Sequence, residues 1–268
     1  MPKTGRVPPT LAELLPIATE AVDRAARMIR GHPAGHVTMK DDRDPATDVD
    51  YAIEREVRNF LVSRAPDVSF LGEEDGRFGE TESELTWALD PIDGTVNFIH
   101  GLPLCGVSLG LTQRQNPVLG VVDLPFMGNR YAAVTGQGAF RNGDRIQASD
   151  ARSLISSVVA IGDYAVGADA DLKNLDRIRL TQNLVSRVER IRMLGSAVID
   201  LCWVADGTID ASVMLANKPW DTVAGVVIAR ESGAIVLDRH GRDYSLSSQS
   251  TVAAAPGIRS ELLKCIAA

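Results

Sequence analysis

The amino-acid sequence predicts an α+β protein, and three observations carry that reading. Two stretches with apolar residues every three or four positions open the chain, and short β-rich runs separated by Gly- and Pro-containing turns fill its middle. Strand-like and helix-like segments then alternate towards its end. With 268 residues, 45% hydrophobic and 24% charged, the chain has an ordinary globular composition and length enough for one large core or two intimate halves. Only its first few residues fall outside that description.

From Leu11 to Ile29 the residues Leu11, Leu14, Leu15, Ala18, Ala21, Val22, Ala25, Ala26 and Ile29 trace one face of an amphipathic helix, which Gly31 and Pro33 end. The acidic segment Asp41 to Asp50 contains Pro45 and reads as a loop. It leads into a second helix, Tyr51 to Arg64, with Ile53, Val57, Phe60 and Leu61 on one face. Between about Ser69 and Ala148 a sheet is expected from the runs ending at Leu71 and Leu89, Gly106 to Leu111, Val118 to Asp123 and Arg130 to Val134. Ile155 to Ile161 reads as a strand and Leu172 to Val188 as a helix, followed by further segments at Gly195 to Asp206 and Thr222 to Ser232. A polar stretch near residues 146–152 suggests two halves, 1–146 and 147–268, sharing one cleft in one compact unit.

The formal charge of −7 leaves no excess of Lys and Arg for phosphate backbones or anionic lipid, so neither a nucleic acid nor a membrane is an expected partner. Cys105, Cys202 and Cys265 are odd in number and widely spaced, which fits neither a disulfide framework nor a zinc site. The N-terminal MPKTGRVPPT has no apolar run before a cleavage site. A reducing cytoplasm is therefore the expected location.

The segment that carries chemistry is Trp87-Ala88-Leu89-Asp90-Pro91-Ile92-Asp93-Gly94-Thr95. Two acids three residues apart, bent by Pro91, can converge on a hard divalent cation, which prefers oxygen ligands. The amides of Gly94 and Thr95 at a helix start have no intrahelical acceptor and can receive an anion. The bland alternative makes Asp93 a helix cap and Asp90 a turn residue. Leu71-Gly72-Glu73-Glu74, Lys218-Pro219-Trp220-Asp221-Thr222 and Thr47-Asp48-Val49-Asp50 supply further acids, each of which alone reads equally well as a strand end or a helix start.

Taken together, Gly72-Glu73-Glu74, Asp90-Pro91-Ile92-Asp93-Gly94-Thr95, Gly195-Ser196-Ala197 and Trp220-Asp221-Thr222-Val223-Ala224-Gly225 resemble the inositol monophosphatase family in order and spacing, over nearly the whole chain. The resemblance implies a layered αβαβα sandwich of the inositol monophosphatase and fructose-1,6-bisphosphatase type. It implies a magnesium-dependent, lithium-inhibited phosphatase, assembled as a homodimer, acting on a small phosphorylated metabolite. By that resemblance Glu73, Asp90, Asp93 and Asp221, with the carbonyl of Ile92, hold two magnesium ions, and Asp50 and Glu73 border a third. Glu73, Thr95 and Asp50 form the catalytic set that orients and deprotonates water. Asp93, Gly94, Thr95, Gly195, Ser196, Ala197 and Asp221 meet the substrate. Two ions about 3.5–4 Å apart can stabilise both the attacking and the leaving oxygen of an in-line displacement. An aspartyl-phosphate route is disfavoured, because the residue two before Asp93 is Pro91.

Other segments carry less. Gly195-Ser196-Ala197 precedes an apolar helical run, so its amides can face a substrate, although a simple Ser cap accounts for it too. Lys40 matches a lysine-containing mobile loop of bacterial relatives or is a solvated surface lysine. Gly136 to Phe140 and Asn142-Gly143 read as hairpin turns rather than a phosphate loop. The acids from Asp41 to Asp50 lack the Gly and Glu of an EF-hand, and His32, His36, His100 and His240 form no spaced zinc pair. Met214 stands six residues before Trp220, where relatives that act on inositol phosphate carry an acid that reads ring hydroxyls. Inositol 1-phosphate leads as the expected substrate, with histidinol phosphate, another sugar or polyol phosphate and a nucleotide 3′-phosphate as alternatives. A regulatory binding protein with secondary phosphatase activity is the alternative of another class.

Overall fold

A computed structural model describes residues 9–79 and 83–268, so the reading of the first residues lies largely outside it. Thr10 caps α1 (Leu11–Gly31) in a reciprocal box with Glu13, and the face expected from the periodicity is buried. The expected loop from Asp41 to Asp50 is instead an antiparallel hairpin, β1 (Val37–Asp41) with β2 (Asp44–Thr47). All of β1 is exposed, so no apolar alternation announces it in the sequence. The following α2 (Asp48–Arg64) starts three residues earlier than the apolar periodicity indicates. Thr47 and Asp50 form a capping box there, which satisfies amides that have no helical acceptor.

Eight strands make the first sheet: β3 (Ser69–Gly72), β4 (Arg77–Phe78), β5 (Leu85–Asp93), β6 (Gly106–Gln113), β7 (Asn116–Leu124), β8 (Asn129–Val134), β9 (Gly138–Arg141) and β10 (Asp144–Arg145). Their order is β10-β9-β8-β7-β6-β5-β3-β4, and only β3 runs parallel to its neighbour β5. The short helix α3 (Thr95–Ile99) follows β5. Five strands make the second sheet, in the order β12-β11-β13-β15-β14: β11 (Val158–Ile161), β12 (Arg190–Arg192), β13 (Ala211–Met214), β14 (Ile235–Leu237) and β15 (Thr251–Ala254). Ile155 lies in a 3₁₀ turn, so β11 begins later than expected. The helices here are α4 (Ala170–Val185), α5 (Ala197–Ala205), α6 (Pro219–Glu231) and α7 (Arg259–Ala267).

Three apolar cores separate five layers. The first lies between α1, α2 and one face of the large sheet, and the second between its other face, α5, α6 and the small sheet. The third lies between the small sheet, α4 and α7. Every residue of α6 from Thr222 to Ala229 is buried, as expected for a helix enclosed on all sides. Its close seat needs glycines. A Cβ at Gly120 of β7 would lie 2.4 Å from the Ala224 carbonyl oxygen, and one at Gly110 of β6 would lie 2.8 Å from the Ala224 nitrogen. Burial of Val223, Val226, Val227 and Ile228 on this helix contributes roughly 1.5–3 kcal/mol for each side chain.

Candidate active site

In a regular strand, residues three apart point to opposite faces, which would separate Asp90 from Asp93. The β5–β6 register removes that obstacle. Asp90 faces Ser108 and Asp93 faces Gly106, so β5 carries one residue more than its partner between them. The bulge falls at Pro91-Ile92, where proline has no N–H to give the ladder. Gly94 then turns the chain with φ +86°, and a Cβ there would stand 2.7 Å from the Leu104 carbonyl oxygen. Thr95 opens α3 and donates its hydroxyl to the Ile92 carbonyl at 2.9 Å.

Asp93 joins two distant parts of the chain. Its carboxylate accepts the Ser196 hydroxyl and the amides of Val198 (2.8 Å) and Ala197 (3.2 Å), at the start of α5. Of the amides of Gly195, Ser196 and Ala197 expected to face a substrate, that of Ala197 is taken by Asp93. Ser196 is also the expected cap, accepting the Ile199 amide at 3.3 Å. Asn97 fixes the turn before α5 by donating to the carbonyls of Leu104 and Leu194, both at 2.8 Å. Asp221, in the first turn of α6, accepts the Lys218 amide at 2.8 Å.

These groups surround a cavity of about 240 Å³. Glu73, Asp90, Ile92, Asp93, Gly94, Thr95, Gly195, Ser196, Ala197 and Asp221 all line it, as do Gly162, Asp163, Asp200, Met214 and Ala216. Asp50 does not line it; one of its oxygens is held in the Thr47 cap and the other has no partner among the described residues. Lys40 reaches from β1 to Glu73 (2.7 Å) and Glu74 (3.0 Å). Burial alone would lower the Lys40 ammonium, but Glu73 and Glu74 together hold it above its ordinary value.

The acids are crowded. Burial pushes the Asp90 carboxyl well up, and the charges of Glu73, Asp93 and Asp221 push it further. Burial and the charges of Asp93 and Glu73 raise Asp221 to about 7. Asp93 rises to about 6, because burial outweighs its hydrogen bonds from Ser196, Val198 and Ala197. Asp90 is 3% exposed and its Oδ1 has no partner among the described residues. Such an arrangement calls for cations, and its all-oxygen donor set suits a hard one. As the side chains stand, no three acid, His or Cys side chains among the described residues converge on one point. Lys40, the α5 amides and the Lys218 amide hold Glu73, Asp93 and Asp221 respectively, so the set fits a cation in chemistry and charge once those side chains turn.

Two buried acids in and behind this site were not singled out by motif spacing. Glu54 accepts the amides of Glu74 (2.9 Å) and Asp75 (2.8 Å), fixing the turn that presents Glu73. Gly72 makes room for it: a Cβ there would lie 2.2 Å from the Glu54 carboxylate. The signal was its helical phase, because Asp50, Glu54, Val57 and Leu61 share one buried stripe of α2. Asp200 sits inside the apolar run Val198 to Cys202, an unusual place for a charge. Its Oδ2 accepts the Ser212 hydroxyl at 3.1 Å, and burial holds its carboxyl well above the ordinary range.

A five-layered sandwich that gathers acids and two helix starts around one cavity defines a class, the phosphoric monoester hydrolases, once its relatives are set beside it. The model of the inositol monophosphatase family matches residues 10–268. Inositol monophosphatase 1 of Solanum lycopersicum is 35% identical over 265 residues, covering 96% of each chain. The Nus factor SuhB of Pasteurella multocida is 33% identical over 257 residues, covering 94% of this chain and 95% of its own. Among solved structures, the extragenic suppressor protein suhB of Bartonella henselae superposes with a TM-score of 0.88 at 29% identity, covering 95% of this chain and 98% of its own. The chain belongs to the inositol monophosphatase family, and it is a phosphatase.

Proposed function

We propose that the chain hydrolyses a small phosphate monoester of the inositol 1-phosphate type by direct attack of water, with two or three magnesium ions in the acid cavity. The observation that carries this reading is the convergence of Glu73, Asp90, Asp93 and Asp221 with the first turns of α3 and α5 on one cavity. Those acids and the Ile92 carbonyl would hold the ions, which when bound supply Lewis acidity towards phosphate and water. Thr95 has its proton engaged by Ile92, so its oxygen is left as an acceptor that orients the attacking water. Glu73, beside Asp50, receives the proton. The P–O bond to the leaving group breaks as the new one forms, and the departing alkoxide takes a proton from solvent water, leaving the free alcohol and inorganic phosphate.

Action on a small metabolite in the cytoplasm is part of the same proposal; the described residues include no helix long and apolar enough to cross a membrane. Leu172, Leu175 and Ile178 form an exposed apolar stripe on α4, and this face supports pairing with a second copy. Phosphate release by purified protein from a panel of monoesters, with and without EDTA, tests the reading. Full turnover in EDTA, or a wild-type rate in Asp93→Asn, overturns it. The likeness to a Nus factor favours one second reading, a regulatory binding role. A pull-down with Asp93→Asn separates the two, because a regulatory role survives the loss of chemistry.

A further inference from the structure

A second cavity, of about 400 Å³, shares no lining residue with the acid cavity. Asp176, Arg179 and Leu180 line it from α4, three and four positions apart and so on one helix face, and Leu263 and Ile266 line it from α7. The turn that follows β14 closes it with Arg239 and His240. That turn is fixed from below. Asp238 Oδ1 accepts the amides of His240 (2.9 Å) and Arg242 (3.0 Å), and the Ser250 hydroxyl oxygen accepts that of Arg239 at 3.0 Å. Gly241, at φ +79°, lets the turn lie on α7, since a Cβ there would stand 3.3 Å from Leu263 Cδ1.

In a protein of net charge −7 this cavity is cationic. Among the described residues Asp176 is the one acid that lines it, and Arg239 already donates to that carboxylate at 2.9 Å. Asp238, beneath the turn, is taken by Arg242 at 2.7 Å. The exposed Arg179 has no hydrogen-bond or ion-pair partner among the described residues, nor has the His240 ring. Neighbouring Arg177 feels the surplus: burial lowers its guanidinium, Asp176 opposes that, and the charge of Arg239 adds to it. A guanidinium fork matches phosphate oxygens in geometry and charge, and two forks beside an imidazole offer donors for several of them. The rest of the lining is apolar, with Leu180 and Ile266 buried and Leu263 half-buried.

We propose that this cavity is a second small-molecule site, which takes a phosphorylated compound with an apolar body. Arg179, Arg239 and His240 hold the phosphate oxygens, and Leu180, Leu263 and Ile266 meet the body. With Asp176 as its one lining acid, the site has no set of carboxylates to hold catalytic cations, so the compound is bound there and not hydrolysed.

The test titrates phenylphosphonate, whose C–P bond resists hydrolysis, into the full chain with magnesium present. The readout is the ring resonance of His240, identified by its loss in His240→Gln. A saturable shift is expected, and it persists in Asp93→Asn, which alters only the acid cavity. Arg179→Ala and Arg239→Gln change exposed or half-exposed side chains and retain the fold, as thermal unfolding checks. Each weakens binding about 10-fold or more, as a charged hydrogen bond is lost. Inorganic phosphate binds more weakly than phenylphosphonate, because it leaves the apolar wall uncovered. The assignment is overturned by the absence of a saturable shift, by an equal shift with chloride at the same ionic strength, or by loss of the shift in Asp93→Asn. It is overturned as well by undiminished binding in Arg179→Ala, or by inorganic phosphate that binds as tightly as phenylphosphonate.

Discussion

Replacing Gly120 by Ala probes the seam between α6 and the large sheet. The added methyl would meet the Ala224 carbonyl oxygen at 2.4 Å, its Cα at 2.7 Å and its carbonyl carbon at 2.8 Å. All three are helix backbone, so no side chain can swing aside. Ordinary carbon contacts begin near 3.5 Å, so helix and strand must part by about 1 Å. Overpacking of this kind costs about 1–3 kcal/mol, which for a chain of this size lowers the melting temperature by roughly 2–5 °C. Asp221 rides on the first turn of the same helix, and a displacement of about 1 Å at a reacting site can reduce turnover by about 10²-fold. Thermal unfolding and phosphate release are measured together, with Gly31→Ala as control, since a Cβ at Gly31 meets nothing within 4 Å. A Gly120→Ala protein that melts and turns over like the wild type would refute the reasoning.

Glu54→Ala should cut activity by tenfold or more, because two backbone amides lose a buried acceptor worth about 1–3 kcal/mol each and the Glu73 turn loosens; kinetics and urea unfolding check both effects. Asp200 has a folded-state pKa raised by burial, so its contribution to stability is present below the usual carboxylate range and is lost as pH rises through the raised value. Asp200→Asn should therefore flatten the fall of metal-free stability with rising pH, as read by urea midpoints across the pH range. Magnesium at about a hundred times its dissociation constant should stabilise the protein by about 2.7 kcal/mol, and Asp93→Asn should reduce that shift in differential scanning fluorimetry. Lithium should slow phosphate release at fixed magnesium where sodium at equal ionic strength does not; equal responses to the two salts count against the family mechanism.

Elements with one wet face were legible in the sequence. The α1 helix shows its buried stripe because the opposite face is polar; the strands β5 to β7, buried on both faces, stand out instead as short continuous apolar runs between turns. The β1–β2 hairpin was not legible, because wholly exposed β1 has no pattern to read and Pro45 resembles a loop signal. The α6 helix was legible only as a segment from Thr222, because burial on every side erases the contrast on which periodicity depends. The acids of the site were visible as motifs. Their spacing gave no hint that a bulge aligns Asp90 with Asp93, or that Asp93 takes the α5 amides, since both depend on partners far along the chain. Glu54 and Asp200 act through backbone and cavity contacts that no short motif contains.

The hydrogen bonds of Asp93 span 103 to 105 residues of chain, and Asp221 arrives later still on the helix that covers the large sheet. A ribosome adding about 5–20 residues each second completes β5 several seconds before it completes α6. During that interval the large sheet has no α6 against Gly110 and Gly120, and its apolar face has only water or a chaperone to meet. Catalytic competence in this fold is thus acquired at the end of synthesis, and a chain truncated before α6 exposes a sticky surface rather than a slower enzyme.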